Sequence, residues 1–373
     1  MGLSGAEIFG FESDLRGDFD LNSLNPTQVE LRNILKRFKE RVDGVLSNGL
    51  VLLPFDPSGK SCKMIRSFDQ NNPAFELTQF LKHGRDVESS LYGTEMDILH
   101  SKESISCLVD FVRTYKFIEA LFLHLDRLEA ILPGKIEVVD AGSGGIPVFG
   151  LLAAIKSDRT VVTCIENNPT SVISSREVIQ SFGLQDRIKV INADATTYEH
   201  DKLIDLLISE TMHVALLGNE PLVKILNNLC RFVSEHGVII PEGVNVELAL
   251  AREEELQRLR RVVDITGLST YAYLDFEKIA RFNPMALLPI IIHLVRLSRL
   301  ENGIYRIILN STVDLCREMG VVLGQNESVI TTPVWTGNKL EISDESYPSD
   351  GVLSYVPGSS VRDVNLRLRY GGG

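Results

Sequence analysis

The period of the apolar positions changes twice along the chain. In "NPTQVELRNILKRFKERVDGVL" the apolar residues recur at helical spacing from Pro26 onward, which predicts an amphipathic helix. After it, "GLVLLPFD" (49–56) predicts a short strand and "NPAFELTQFLKHG" (72–84) a helix closed by Gly84. The segment "ESISCLVDFVRTYKFIEALFLHLDRLEAIL" keeps the helical period as one long helix or two, stopped by Pro133 and Gly134. Residues 1–20 are Gly- and Asp-rich and carry no such pattern. Residues 1–100 are expected to form a mainly helical extension.

From residue 136 the pattern becomes strand and helix in alternation. The runs "IEVVD", "TVVTCIE", "RIKVINAD", "LIDLLISE" and "VIIPEG" read as strands, and "IPVFGLLAAIK", "PTSVISSREVIQSFG" and "NEPLVKILNNLCRFVSEHG" read as helices. Such alternation implies a parallel or mixed sheet covered on both faces. The fold class expected is therefore α/β over 101–243. Beyond 243, "VNVELALA", "GIYRIILNSTVDL" and "NLRLRY" alternate as antiparallel strands do, interrupted by the charged helical piece "REEELQRLRRVVD". Residues 244–373 are expected to be β-rich, with a helical insert. The apolar run "MALLPIIIHLV" (285–295) reads as a buried helix or strand, or an oligomer contact; it is too short to span a membrane.

Composition narrows the function classes. The 373 residues carry a formal charge of −12, which disfavours a general nucleic-acid binder because phosphate neutralisation needs dense Lys and Arg. The five cysteines (Cys62, Cys107, Cys164, Cys230, Cys316) are scattered and lack metal-ligand spacing, so no metal site is expected and a reducing, cytoplasmic setting fits. No basic-then-apolar leader opens the chain, so no secretory signal is expected.

Candidate chemistry gathers at the ends of the predicted strands. The first strand runs into "VVDAGSGGIPV", a glycine turn before a helix, where a backbone can approach a ligand closely. A dinucleotide fingerprint would need a third glycine at position 147, which is Pro147; a nicotinamide oxidoreductase is disfavoured on that ground. The second strand ends at Glu166, where a carboxylate can accept both hydroxyls of a ribose, and the third at Asp194, where an adenine amino group could be met. This constellation resembles class I S-adenosylmethionine-dependent methyltransferases. The resemblance implies Gly142 and Gly144 near the methionyl part of the cofactor, Glu166 on its ribose and Asp194 near adenine. Asp140, Asn167 and Ala195 join them as cofactor-binding candidates.

The fourth strand leads into "SETMHVALLGNE" (209–220), two acids around a mostly apolar loop. Taking carboxylates out of water is costly, so a partner is expected. Ser209, Glu210, Met212 and Glu220 resemble the double-E loop of protein arginine methyltransferases, and "DFVRTYKFIEA" resembles that family's D-x-x-R-T-x-x-Y-x-x-A helix with Phe117 for Tyr. That likeness implies Arg113 on the cofactor carboxylate, Glu210 and Glu220 as catalytic acids, and a homodimer, for which 253–300 could supply the contact. A guanidinium suits two carboxylates, which hold its planar fork and leave one nitrogen aimed at a methyl donor.

The departures are specific. His213 stands where the family has glycine, the acids lie one residue further apart than expected, and "TTPVWTGNK" offers Thr332 and Trp335 but no histidine for a T-H-W loop. The acceptor is therefore left as a nitrogen or activated carbon of a peptide or small molecule, with Met212 and Trp335 as substrate-binding candidates. The alternative is a natural-product tailoring methyltransferase in which His213 is a base. A non-enzymatic binding module on the same scaffold is a third reading, against which Gly142, Gly144, Glu166 and Arg113 speak.

Overall fold

The computed structural model describes residues 26–47, 77, 80, 81, 110–218, 221–252, 270–276, 290–294, 297, 300–325, 327–343 and 348–370. The expected strand at 49–56, most of the helix before Gly84 and the charged piece after Arg252 lie outside these residues.

Five parallel strands form the first sheet: β1 (Ile136–Ala141), β2 (Thr160–Glu166), β3 (Ile188–Asn192), β4 (Ile204–Ile208) and β5 (Val233–Ile240). Their order is β3-β2-β1-β4-β5. Valine and isoleucine dominate because these strands are covered on both faces, and β1 is buried along almost its whole length. Helices α1 (Pro26–Ser47), α2 (Phe111–Ile131), α3 (Val148–Lys156), α4 (Pro169–Ser181) and α5 (Leu222–Leu229) surround the sheet. Helix α2 buries Phe117, Leu121, Leu125 and Leu128. Burial of side chains of this kind stabilises by roughly 1.5–3 kcal/mol each. Helix α1 closes onto it, with Phe38 and Tyr115 edge to face at 5.5 Å.

One expectation changes at the last helix. The helical segment ends at Leu229, a 3-10 turn covers Cys230–Phe232, and "VSEHG" already belongs to β5. Gly237, which reads in sequence as a helix stop, instead sits in a register shift against β4. A Cβ there would lie 2.7 Å from the Ile204 carbonyl oxygen, so glycine lets the two backbones close.

Antiparallel strands follow. One sheet joins β6 (Gly243–Arg252), β7 (Thr270–Asp275), β9 (Gly303–Cys316), β10 (Val321–Leu323) and β11 (Val334–Ile342). A second joins β8 (Ile290–Leu294), β12 (Pro348–Tyr355) and β13 (Asn365–Tyr370). The apolar run at 285–295 thus contributes a strand, β8, with inward Ile290, Ile292 and Leu294 alternating with exposed Ile291 and His293. Among the described residues no helix is long and apolar enough to cross a membrane.

Candidate active site

Because β1, β2 and β4 run parallel, their carboxyl ends share one rim, where open α/β sheets bind ligands. The chain leaves β1 through a turn in which Gly142 N–H and Ser143 N–H both donate to the Ile165 carbonyl, at 2.8 and 3.2 Å. Gly142 and Gly144 have φ of +80° and +70°, a region that side chains resist. Glu166, at the tip of β2, fastens the turn: its carboxylate accepts from Gly144 N–H and Asn168 N–H, each at 2.8 Å. A carboxylate has about four lone-pair sites, so two remain for hydroxyl donors at the rim.

Asp140 lies beneath the turn rather than on the rim. It is fully buried and accepts from Gly150 N–H, in the first turn of α3, at 2.9 Å. Burial pushes its carboxyl up to about 7, against the Gly150 N–H, and the charges of Glu166 and Glu210 add to the rise. Asn167 and Asp194 are exposed at the strand ends, and Asp194 caps its own loop by accepting from Thr196 N–H and Oγ1. Ala195 is buried, its carbonyl receiving Asn228 Nδ2 at 3.0 Å.

The loop after β4 rests directly on the glycine turn. Ser209 Oγ donates to the Ala141 carbonyl at 2.8 Å, and the Thr211 methyl fills the space a Cβ on Gly142 would need. Between them stands Glu210, whose Oε1 lies 2.9 Å from Arg113 Nη1; the two side chains are 10% and 8% exposed. The partner expected for a costly buried carboxylate is therefore Arg113 of α2. Asp110, at the start of α2, lies 3.6 Å from Arg113 Nε and accepts from Ser328 Oγ at 2.6 Å. The rim thus holds a buried guanidinium with five donors beside a carboxylate-lined loop.

Further along, Met212 is buried and His213 exposed at the entry of a 3-10 turn, Val214–Leu216. Ala215 and Leu216 adopt φ of +49° and +57°. This left-handed region costs a non-glycine residue about 1–2 kcal/mol. The loop holds because a distant segment grips it. Tyr355 Oη donates to the Ala215 carbonyl at 2.7 Å, Gly358 N–H to the Leu216 carbonyl at 2.8 Å, and Gly218 N–H to the Ser359 carbonyl at 2.8 Å. Glu220 lies outside the described residues. Trp335 is half-buried on β11 opposite Ile308, with the Arg306 guanidinium 5.7 Å from its ring centre.

Sequence reasoning singled out Arg113 and Glu210 for different ligands and did not foresee their pairing. It also missed Ser328 and Tyr355. Asp110 carried a signal, standing three residues before Arg113 where a helix begins; Tyr355 carried none, because its partner is 140 residues away.

A second buried charge cluster joins the two sheets elsewhere. His124 Nε2 faces the Leu315 carbonyl at 3.2 Å and Glu242 Oε1 at 3.4 Å, while Arg317 bridges Glu242 and Asp275. Burial alone would lower the His124 imidazole, but the neighbouring Cys316 and Glu242 raise it to about 9. Cys316 brings a third potential ligand atom within 4.8 Å of the other two. A proton on Nε2 would satisfy both oxygens.

Comparison with known proteins bears on the fold. Residues 118–240 match the family model described as PRMT5 arginine-N-methyltransferase. A probable protein arginine N-methyltransferase 6 of Arabidopsis thaliana is 27% identical over 141 residues, 38% of this chain and 30% of the relative. Protein arginine N-methyltransferase 6 of Xenopus laevis is 24% identical over 169 residues, 45% of this chain and 46% of the relative. These matches span less than half of either relative's length. Among solved structures, a Trypanosoma brucei PRMT1 enzyme-prozyme heterotetrameric complex with AdoHcy superposes with a TM-score of 0.53 at 15% identity, covering 74% of this chain and 95% of that one. A parallel five-stranded sheet with its glycine turn, followed by antiparallel β-sheets, is the fold this chain shares with that PRMT1 structure.

Proposed function

We propose that the chain transfers a methyl group from S-adenosylmethionine to a nitrogen of a peptide or small-molecule acceptor, with an arginine guanidinium as the favoured acceptor. One observation carries this reading: the loop bearing Glu210 is seated on the glycine turn, so a carboxylate stands beside the place where the donor fits. The residues present suit that donor. Glu166 retains acceptor capacity for ribose hydroxyls, Arg113 offers a buried cation for a carboxylate, and the exposed Asn167 and Asp194 flank the adenine end. S-adenosylmethionine, when bound, supplies an electrophilic methyl on a sulfonium. The chain's own task is then positioning. Arg113 holds Glu210 in place, and Glu210 orients a cationic acceptor while keeping water from the reacting pair. A guanidinium held in line with the methyl would pass one N–H proton to the neighbouring carboxylate as its C–N bond forms and the C–S bond to the methyl breaks, releasing S-adenosylhomocysteine; the methylated product stays cationic, so no strong base is needed.

His213, exposed at the start of the 3-10 turn, supports a second reading in which a less basic small-molecule acceptor gives its proton to an imidazole. Self-association belongs to the same proposal, resting on the family likeness and on the heterotetrameric complex of the trypanosomal relative.

Glu210→Gln separates these roles. S-adenosylhomocysteine affinity by titration calorimetry should stay within about twofold, while turnover on an arginine peptide should fall by about 10²-fold or more, the loss of one charge-assisted contact made at the transition state. Full activity in Glu210→Gln would remove the carboxylate from the mechanism. Transfer to small indoles or amino acids but not to arginine peptides would select the second reading.

A further inference from the structure

The site described so far belongs to the parallel sheet, yet the part of it that faces the acceptor is shaped from the far end of the chain. We propose that Tyr355 is a positioning residue: its hydroxyl, together with the backbone of 358–359, sets the conformation of the acid loop, so that the acceptor side forms only when the C-terminal segment is docked. The inference rests on the methyl-transfer reading and deepens it.

The loop is anchored at both ends by different parts of the molecule. At its start, Ser209 N–H donates to the Ile240 carbonyl and Ser209 Oγ to the Ala141 carbonyl, both inside the parallel sheet. At its end, Tyr355 Oη and Gly358 N–H donate to the Ala215 and Leu216 carbonyls, and Gly218 N–H donates to the Ser359 carbonyl. Glu210 lies between the anchors, and Glu220 follows Gly218 by two positions. Within the described part of the loop, Leu216 N–H donates to the His213 carbonyl and Leu217 N–H to the Val214 carbonyl, each at 3.0 Å, bonds that span a single turn. Two successive non-glycine residues in the left-handed region do not persist on such local support.

Tyr355 is suited to the task. It is 3% exposed at the end of β12, and burial pushes its phenol far up, so the proton stays on the oxygen and the group remains a donor. The Ala215 carbonyl it meets is buried as well, and without the hydroxyl that carbonyl would be an unsatisfied acceptor. A phenylalanine would fill the same space, so the oxygen can be removed with little change in packing.

The test uses the full chain with Tyr355→Phe and Ser359→Ala, the second keeping the carbonyl that receives Gly218 N–H. Hydrogen exchange is read at residues 215–218, S-adenosylhomocysteine affinity by calorimetry, and turnover on the best acceptor found for the wild type. In Tyr355→Phe, exchange at these amides should quicken by about tenfold, the effect of leaving one buried acceptor unpaired. Turnover should fall by a similar factor while donor affinity and donor KM stay within about twofold, a split that a general loss of folding would not give. Ser359→Ala should match the wild type. Unchanged exchange in Tyr355→Phe, or an equal rise in Ser359→Ala, would overturn the inference. The wild type supplies a check that needs no variant: Gly218 and Gly358 amides should be protected, and free exchange at both would also overturn it. A wild type that fails to bind S-adenosylhomocysteine would defeat the donor reading alone, because the exchange measurements still report on the brace.

Discussion

The proposed donor side and acceptor side of this site are built on opposite plans. On the donor side the glycine turn is fastened by contacts short in sequence: Gly142 and Ser143 to Ile165, Gly144 and Asn168 to Glu166, and Gly150 to Asp140. One strand-turn-helix-strand unit makes these fastenings, with Arg113 reaching in from α2 where the two sides meet. On the acceptor side the groups come from everywhere: Glu210 from the loop after β4, Arg113 and Asp110 from α2, Ser328 from the turn before β11, and the brace from 355–359. A local half can form whenever its sheet forms. A dispersed half needs the whole chain in place, and its geometry can be adjusted from several directions without disturbing the other.

The largest effect should come where the halves touch. Arg113→Ala leaves Glu210 and Asp110 buried without their cation, and breaking a buried pair from one side costs about 3–5 kcal/mol. Urea unfolding should show this loss, and Arg113→Met combined with Glu210→Gln should recover most of it. A cost below about 1 kcal/mol for Arg113→Ala, the range of exposed pairs, would mean that the pair is open to water and the two halves are independent.

The joint between the sheets gives a smaller effect with a definite sign. His124 is raised from 6.5 to about 9 in the folded chain. Its contribution is therefore fully present below about pH 6.5 and is lost as pH rises through about 9, on the order of 3 kcal/mol in all. Melting temperature should decline across that window, and His124→Gln should flatten the decline. A slope that survives the substitution would place the alkaline sensitivity elsewhere.

Smallest is the donor side taken alone. Glu166→Ala should weaken S-adenosylhomocysteine binding by about 1.5–3 kcal/mol, the worth of hydrogen bonds to a charged acceptor. Calorimetry at constant salt measures it, and unchanged affinity would mean that the tip of β2 does not face the ribose.

The two plans also explain what could be read in advance. The parallel strands were legible because β-rich runs, glycines and helical periods alternate at short range; β2, for instance, spans Thr160–Glu166, the very run "TVVTCIE". The end of the last helix was not legible, since "SEHG" carries a helix-stop signal and the pairing of Val233 with Ile204 is a long-range event. For the site, Glu166 followed from its place at a strand end. The Arg113–Glu210 contact did not, because two residues 97 positions apart meet only after α2 has packed on the sheet, and the grip of Tyr355 on Ala215 is more distant still.

The Thr211 methyl lies where a β-carbon on residue 142 would have to go. Positions 142 and 211 are therefore yoked: enlarging the first demands trimming the second. Any redesign that recruits a new methyl acceptor by rebuilding the loop must keep residue 211 small enough for its glycine neighbour, or donor recognition will suffer for a change made only to the other substrate.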